Sequence, residues 1–371
     1  MAARDAFSVG GRRRRARCLF AALWTTLCLA RGRASNVERR NMPEGLPIAD
    51  RLYWVVDDNP VRKKRFTKVM KEHSGKQLIE VMQDQARGST TLWLDRALQL
   101  TDLGEHMYHE MMAHVPLMTV PSPPRDVLVV GAGDGGVSLR VLEHPSVRRL
   151  VQVELDGAVV EAAKSFFPDI GKAYGDGRLE LHIEDAIAWI KREAPNNPET
   201  FDAIIIDSTD EPLISLWSKE FYAAARRLLR SGGVLMQNIQ SLDVPAQMDH
   251  MLKLQLAGGF QRVRPVMMST VDYESPYVAF MSSDLTPACP GPADDALERY
   301  KALQPTWYTL AIHRGALAVP PGLVRRWPHF ASDAMGCAAD PVLDAGTTQA
   351  SALVRGAAAR PRGASGADGA D

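Results

Sequence analysis

From residue 126 to residue 283 the chain alternates short, near-continuous apolar runs with stretches of helical period. The apolar runs are 127–130, 150–154, 179–183, 203–207 and 234–238, and the helical patterns fall near 136–143, 156–166, 186–193, 218–230 and 245–257. Strands that are apolar throughout, alternating with helices, predict a mostly parallel sheet covered on both faces. Two later runs, 263–268 and 277–281, read as an antiparallel pair closing the sheet edge. Upstream, strand-like runs at 77–83 and 91–99 flank the turn residues Gly88 and Ser89 and predict a small antiparallel unit. A helix is expected near 60–72 and another over 107–114, and Pro116, Pro121, Pro123 and Pro124 mark a boundary after it.

These patterns divide the chain into a leader (1–35), an N-terminal β-rich domain (36–120), an α/β domain (121–285), a C-terminal helical extension (286–327) and a disordered tail (328–371). In the leader, Arg12 to Arg15 and Arg17 precede a 13-residue apolar run from Cys18 to Ala30, too short to span a bilayer comfortably. Gly32-Arg33-Ala34 then offers a processing site, so the segment reads as a signal sequence, an organelle-transit sequence or an unprocessed arginine-rich leader. The destination follows from which of these it is: cytoplasmic, organellar or secretory. The tail is rich in Ala, Gly, Arg and Asp.

Composition narrows the function. Lys plus Arg equals Asp plus Glu, so the chain has no global electrostatic reason to bind nucleic acid or an anionic membrane. The four cysteines, Cys18, Cys28, Cys289 and Cys337, show neither metal-ligand spacing nor a disulfide framework.

The candidate chemistry lies at strand ends. The first apolar strand runs into Gly131-Ala-Gly133-Asp134-Gly135-Gly136 and then into a helix. Glycines let the backbone adopt positive φ and approach a ligand, and the helix start adds unpaired N–H groups. Glu154 ends the next strand, where a carboxylate can accept from both ribose hydroxyls. Asp134 would repel a dinucleotide pyrophosphate but attract an ammonium group, which favours an S-adenosyl-type ligand over NAD. Asp185, beside Ala186 at the third strand end, suits an adenine amino group and equally suits a helix N-cap; the roles are compatible. Asp207 and Asp210 end the fourth strand in Asp-Ser-Thr-Asp. Ligands of open α/β sheets sit beyond the carboxyl ends of strands, so these acids point to one crevice for a cationic substrate.

The run 127–210 resembles the spermidine synthase (polyamine aminopropyltransferase) family. The matching pieces are GAGDGG at 131–136, EHPSV at 143–147, VQVELD at 151–156 and DSTD at 207–210. LDRALQLTD at 94–102 and YHEMMAHVPL at 108–117 resemble the segment before the glycine loop, and IHRGALAVP at 312–320 resembles the C-terminal signature. In all, the likeness spans roughly residues 50 to 327.

It implies a Rossmann-like, class I methyltransferase-type sheet with a small N-terminal antiparallel β domain. It also implies transfer of the aminopropyl group of decarboxylated S-adenosylmethionine to a diamine such as putrescine, giving spermidine and methylthioadenosine. Gln77, His109, Gly131, Gly133, Asp134, Glu154, Asp185 and Ala186 would hold this donor, which is a co-substrate. Asp207 would be the catalytic acid-base residue. Tyr108, Asp207, Asp210 and Tyr273 would orient the amine, with Gln99 and Trp54 lining the cavity. The resemblance further implies a homo-oligomer, dimer or tetramer, that needs no metal or other cofactor.

Three departures stand out. The family's Pro-x-Gly-Pro-Ala loop is replaced by a shorter one, Glu211 to Trp217. Its Arg-Glu pair after the glycine loop is Leu139-Arg140, and its Tyr-Pro-x-Gly pattern is Tyr273-Glu274-Ser275-Pro276. The competing readings are an S-adenosylmethionine-dependent methyltransferase and a non-catalytic homologue.

Overall fold

A computed structural model of the chain describes residues 66–208, 217–241, 245–270, 276–284, 292–327 and 330, in two compact units that divide between Leu103 and Gly104. The leader, the loop 211–216 and the tail apart from Phe330 lie outside the described residues.

The first unit is a four-stranded antiparallel meander, β1 (Phe66–His73), β2 (Leu78–Asp84), β3 (Ser89–Leu94) and β4 (Ala97–Thr101), in that order across the sheet. Two expectations are corrected here. Residues 66–72, expected as part of a helix, belong to β1. Phe66 and Met70 are its half-buried positions, and their four-residue spacing imitates a helical face. A register shift between Lys68 and Met70 pairs Phe66 with Asp84 and Met70 with Val81, on opposite faces of the sheet, and brings Lys68 and Lys71 both to the buried Glu80 on β2. The single strand expected over 91–99 is a hairpin. Asp95 and Arg96 take φ of 45° and 70°, as a two-residue turn between twisted strands requires. Asp95 is held there because it exchanges hydrogen bonds with Leu78, accepting from its N–H and donating to its carbonyl, both at 2.8 Å.

The second unit begins with α1 (Glu105–Thr119) and continues through β5 (Asp126–Gly131), α2 (Gly136–Leu142), β6 (Arg149–Glu154), α3 (Gly157–Phe166), α4 (Pro168–Gly171), a 3-10 turn (Lys172–Gly175), β7 (Leu179–Ile183), α5 (Ala186–Glu193) and β8 (Phe201–Asp207). Then come α6 (Lys219–Leu228), β9 (Leu229–Ser241), α7 (Pro245–Ala257), β10 (Arg262–Met268), β11 (Tyr277–Ser283), α8 (Ala296–Lys301), α9 (Leu310–Ala316) and α10 (Pro321–Arg326). The strand order is β10-β11-β9-β8-β5-β6-β7. The five strands from β9 to β7 are parallel, and β11 runs antiparallel to β9 and β10. Successive residues of β5 feed opposite faces. Val127 and Val129 pack with Met111, Met112 and Val115 of α1, whereas Leu128 and Val130 pack with Trp189, Phe221 and Tyr222.

Because α1 supplies core to the β5 face, it belongs to the second unit and not to the N-terminal domain expected over 36–120. It also runs past Pro116, where a boundary was expected. Proline removes one helical N–H, but the last turn finds other partners. The Thr119 hydroxyl donates to the Val115 carbonyl at 2.8 Å, and Arg299 donates to the carbonyls of Leu117 and Val120 at 3.2 and 2.9 Å.

The C-terminal segment is fastened to the same helix. The fully buried carboxylate of Glu110 accepts the backbone N–H groups of Thr306, Trp307 and Tyr308 at 2.8, 2.8 and 2.7 Å. His313 sits between the Tyr308 hydroxyl, 2.8 Å from Nδ1, and the Thr119 hydroxyl, 3.3 Å from Nε2. Burial pushes its pKa down to about 3, so it is a neutral core residue. Among the described residues no helix is long and apolar enough to cross a membrane.

Candidate active site

The chain order β5, β6, β7 moves outward on one side of the sheet, and β8, β9 return on the other, so the order reverses between β5 and β8. Open α/β sheets bind ligands at such a reversal. The pair in register at its carboxyl end is Gly131 and Asp207. Their backbones also bond directly, Ala132 N–H donating to the Asp207 carbonyl at 2.8 Å. A Cβ on Gly131 would lie 2.1 Å from that carbonyl oxygen, and its φ is +80°, so glycine is required twice over.

The turn after β5 is left-handed at Gly131, Ala132 and Gly135. Buried Gln152 on β6 holds it. Its amide donates to the carbonyls of Gly131 and Ala132 at 2.9 and 2.8 Å, and its oxygen accepts from the Ser138 hydroxyl at 2.8 Å. The Tyr174 hydroxyl donates to the Gly133 carbonyl at 2.8 Å. Thus every carbonyl from Gly131 to Gly133 has a side-chain partner, and the strained alanine is held in place.

Asp134 is largely enclosed within this turn. Its Oδ1 accepts the Gly136 N–H at 2.7 Å and its Oδ2 lies 3.5 Å from His109 Nε2. Burial disfavours its charge, but the imidazolium and the N–H outweigh that and hold its carboxyl below the ordinary range. His109 Nδ1 lies 2.7 Å from Glu105 Oε2, which itself receives Arg140 on its other oxygen at 2.6 Å. Burial would lower the His109 pKa, yet Asp134 and Glu105 raise it to about 10.

Glu154 ends β6, buried, with its Oε1 accepting the Asp156 N–H at 2.8 Å. A Cβ on Gly133 would come within 3.0 Å of Glu154 Oε2, so the glycine turn and this carboxylate face each other closely. Burial pushes Glu154 up to about 7, with the nearby Asp156 and Asp134 charges adding to the rise against two backbone N–H groups that oppose it. Asp185 caps α5, accepting the Ile187 and Ala188 N–H groups at 2.8 and 3.4 Å, with Ala186 opening the helix. Asp207 Oδ1 accepts the Tyr108 hydroxyl at 2.7 Å. Tyr108 stands edge-on to Tyr277, 5.7 Å between centroids, and Asn238 fixes the backbone beyond Asp207 by donating to the Ser208 carbonyl at 2.8 Å.

The second unit therefore gathers Tyr108, His109, Gly131, Gly133, Asp134, Glu154, Asp185, Ala186 and Asp207 at the carboxyl ends of β5 to β8 and the start of α1. Gln77 lies in the first unit at the turn entering β2, and Gln99 on β4. Trp54, Asp210 and Tyr273 lie outside the described residues.

Comparison with known proteins finds one family. The spermine/spermidine synthase domain matches residues 105–290. A polyamine aminopropyltransferase of Halorhodospira halophila is 37% identical over 259 residues, covering 68% of this chain and 90% of the relative. One of Moorella thermoacetica is 33% identical over 257 residues, covering 66% and 84%. This chain belongs to the spermine/spermidine synthase family. Two solved spermidine synthases, one bound to the transition-state analogue AdoDATO and one from Thermotoga maritima, superpose with TM-scores of 0.63 at 26% identity, covering 70% of this chain and 88% and 87% of theirs. Membership places the chain among enzymes that transfer an aminopropyl group to an amine.

Around these strand ends the spermine/spermidine synthase chain carries several residues that were not singled out from the sequence. Leu155 and Ile183 are large apolar side chains at the ends of β6 and β7, each about half exposed (50% and 51%), flanking Glu154 and approaching Asp185. A leucine directly after a strand-ending acid, where a turn is normally polar, was the available signal. Glu105, Gln152 and Tyr174 act only through tertiary contacts, and nothing local marks them.

Proposed function

We propose that this chain moves the aminopropyl group of decarboxylated S-adenosylmethionine to a diamine such as putrescine, with Asp207 as the catalytic base. The observation that carries the reading is the meeting of Asp134, Glu154 and Asp207 at one sheet reversal, with Asp207 held by Tyr108. In the donor half, Glu154 accepts the ribose hydroxyls, Asp185 and Ala186 face the base, and Asp134 takes the ammonium end. His109 supports Asp134, and Gln77 is assigned to the donor as well. In the acceptor half, Tyr108, Asp207, Asp210 and Tyr273 orient the amine. The enzyme is taken to act as a homo-oligomer, which light scattering of the purified chain reads directly.

The chemistry follows from charge. An alkyl ammonium has a pKa of about 10, so the acceptor arrives protonated and without a lone pair. Asp207 takes a proton from it, and the freed lone pair attacks the methylene next to the sulfonium. The C–N bond forms as the C–S bond breaks, and its electron pair neutralises the sulfur, leaving methylthioadenosine. Tyr108 keeps the Asp207 carboxylate aimed at the amine, an orientation effect.

The test is product analysis. The full chain is incubated with decarboxylated S-adenosylmethionine and a panel of diamines and longer polyamines, and products are resolved by mass. Methylthioadenosine together with an aminopropylated amine is expected. S-adenosylhomocysteine formed from S-adenosylmethionine, or donor binding without turnover, would overturn the assignment.

A further inference from the structure

His109 is flanked by carboxylates on both ring nitrogens, Glu105 Oε2 at 2.7 Å from Nδ1 and Asp134 Oδ2 at 3.5 Å from Nε2. A neutral imidazole has one N–H, so it would turn a lone pair toward one of the two anions. Only the imidazolium satisfies both. The ring also packs against the glycine turn: a Cβ on Gly136 would lie 2.1 Å from His109 Cε1, so this orientation needs the glycine. On the far side, Glu105 Oε1 accepts Arg140 Nη2 at 2.6 Å, and Arg140 Nη1 donates to Glu143 Oε1 at 2.6 Å. The result is a continuous line from α2 through α1 to the glycine turn, in the order Arg140, Glu105, His109, Asp134. Arg140 belongs to the Leu139-Arg140 departure noted above.

We propose that Glu105, anchored by Arg140, is a positioning residue of the donor site: through His109 it fixes the charge and direction of the Asp134 carboxylate and thereby sets the affinity for the donor's ammonium end. The proposal rests on the reading that Asp134 receives that ammonium. Glu105 lies one helical turn before His109 on α1, so the pair is held by the helix itself. The other groups around the ring are accounted for. The Tyr108 ring stands edge-on at 5.5 Å. Arg140 reaches His109 only by way of Glu105, and Glu143 and Glu110 act on Arg140. Asp134 spends one oxygen on the Gly136 N–H and one on His109, so removing the imidazolium's charge or turning the ring lets the carboxylate swing from its direction.

The experiment has two readouts. Imidazole nitrogen resonances of the full chain, recorded against pH without ligand, are expected to show His109 doubly protonated through pH 8 in the wild type. In Glu105→Gln the titration is expected to move down by at least one unit. In steady-state assays Glu105→Gln is expected to raise the donor KM about tenfold, leave the acceptor KM within twofold, and add an ionisation to the donor pH profile that the wild type lacks. Arg140→Gln is expected to give a smaller rise in donor KM, and Arg140→Lys to restore it. A wild-type His109 that titrates near 6.5, a titration unmoved by Glu105→Gln, or an unchanged donor KM in both variants would each overturn the proposal. Failure of the parent reading has a different signature: wild-type protein gives no aminopropylated product, while His109 still titrates as described.

Discussion

The Tyr108 hydroxyl donates to Asp207 Oδ1 across 2.7 Å, joining the start of α1 to the end of β8 over 99 residues of sequence. A hydrogen bond to a charged group contributes about 1.5–3 kcal/mol. Tyr108→Phe is therefore expected to lower kcat roughly 10- to 100-fold with a small change in donor KM. Asp207→Asn removes the proposed base and is expected to lower kcat by several orders of magnitude with modest loss of donor binding. The double variant should fall short of the product of the two effects, because the tyrosine acts through the carboxylate. Product mass per unit time decides it, and full turnover in Asp207→Asn would remove Asp207 from its role.

As the proposed acceptor of the ribose hydroxyls, Glu154 is expected to give donor binding a pH dependence. To accept ribose hydroxyls it must be ionised, and burial has pushed its pKa to about 7 in the free protein. Below that pH, binding must expel a proton. Donor affinity is expected to rise with pH through about 7 and flatten above it, with proton release on binding near pH 6 that vanishes near pH 8.5. The sign for stability is opposite. The folded pKa lies above the unfolded value of 4.5, so the contribution is fully present below about 4.5 and is lost as pH rises through about 7. Calorimetry in buffers of different ionisation enthalpy measures the proton, and Glu154→Gln should abolish the effect.

Two glycines of the same turn should fail differently. In Gly131→Ala the new Cβ meets the Asp207 carbonyl at 2.1 Å on a backbone with φ +80°. Both obstacles are main-chain, so a loss of more than about 3 kcal/mol is expected. In Gly136→Ala the obstacle is the His109 ring, a side chain. The ring can yield, so a smaller loss of stability is expected with a donor KM raised about tenfold. Thermal melts and donor titrations of the two variants separate these outcomes.

Glu110→Ala leaves three N–H groups of residues 306–308 without their acceptor. A loss of roughly 3–5 kcal/mol is expected, on the order of 10 °C in the melting midpoint. Hydrogen exchange at 306–308 should rise first. Exchange in this stretch equal to that of the wild type would show that another group had taken over.

Legibility in the sequence followed how local each cause was. Gly131, Asp134, Glu154, Asp185 and Asp207 could be read because each stands at or just past the end of a strand, and strand ends of a parallel sheet share one rim. Positions 66–72 misled because Phe66 and Met70, four apart, suit one face of a helix, whereas a register shift in β1 turns them to opposite faces of a sheet. The hairpin at Asp95-Arg96 was missed because neither residue is glycine; the turn is stabilised from β2 by Leu78. Glu105 and Gln152 were invisible for the same kind of reason. A glutamate at a helix start and a glutamine inside a strand have ordinary local explanations, and only the folded chain brings them against His109 and the glycine turn.

The bond from Ala132 N–H to the Asp207 carbonyl has a consequence for timing. The segment proposed to cradle one substrate and the segment proposed to activate the other are stitched main chain to main chain, so their spacing is set when the sheet zips up. Neither reactant has to draw the two halves together on arrival, and the binding energy it would have spent on assembly stays available for bringing nitrogen to carbon.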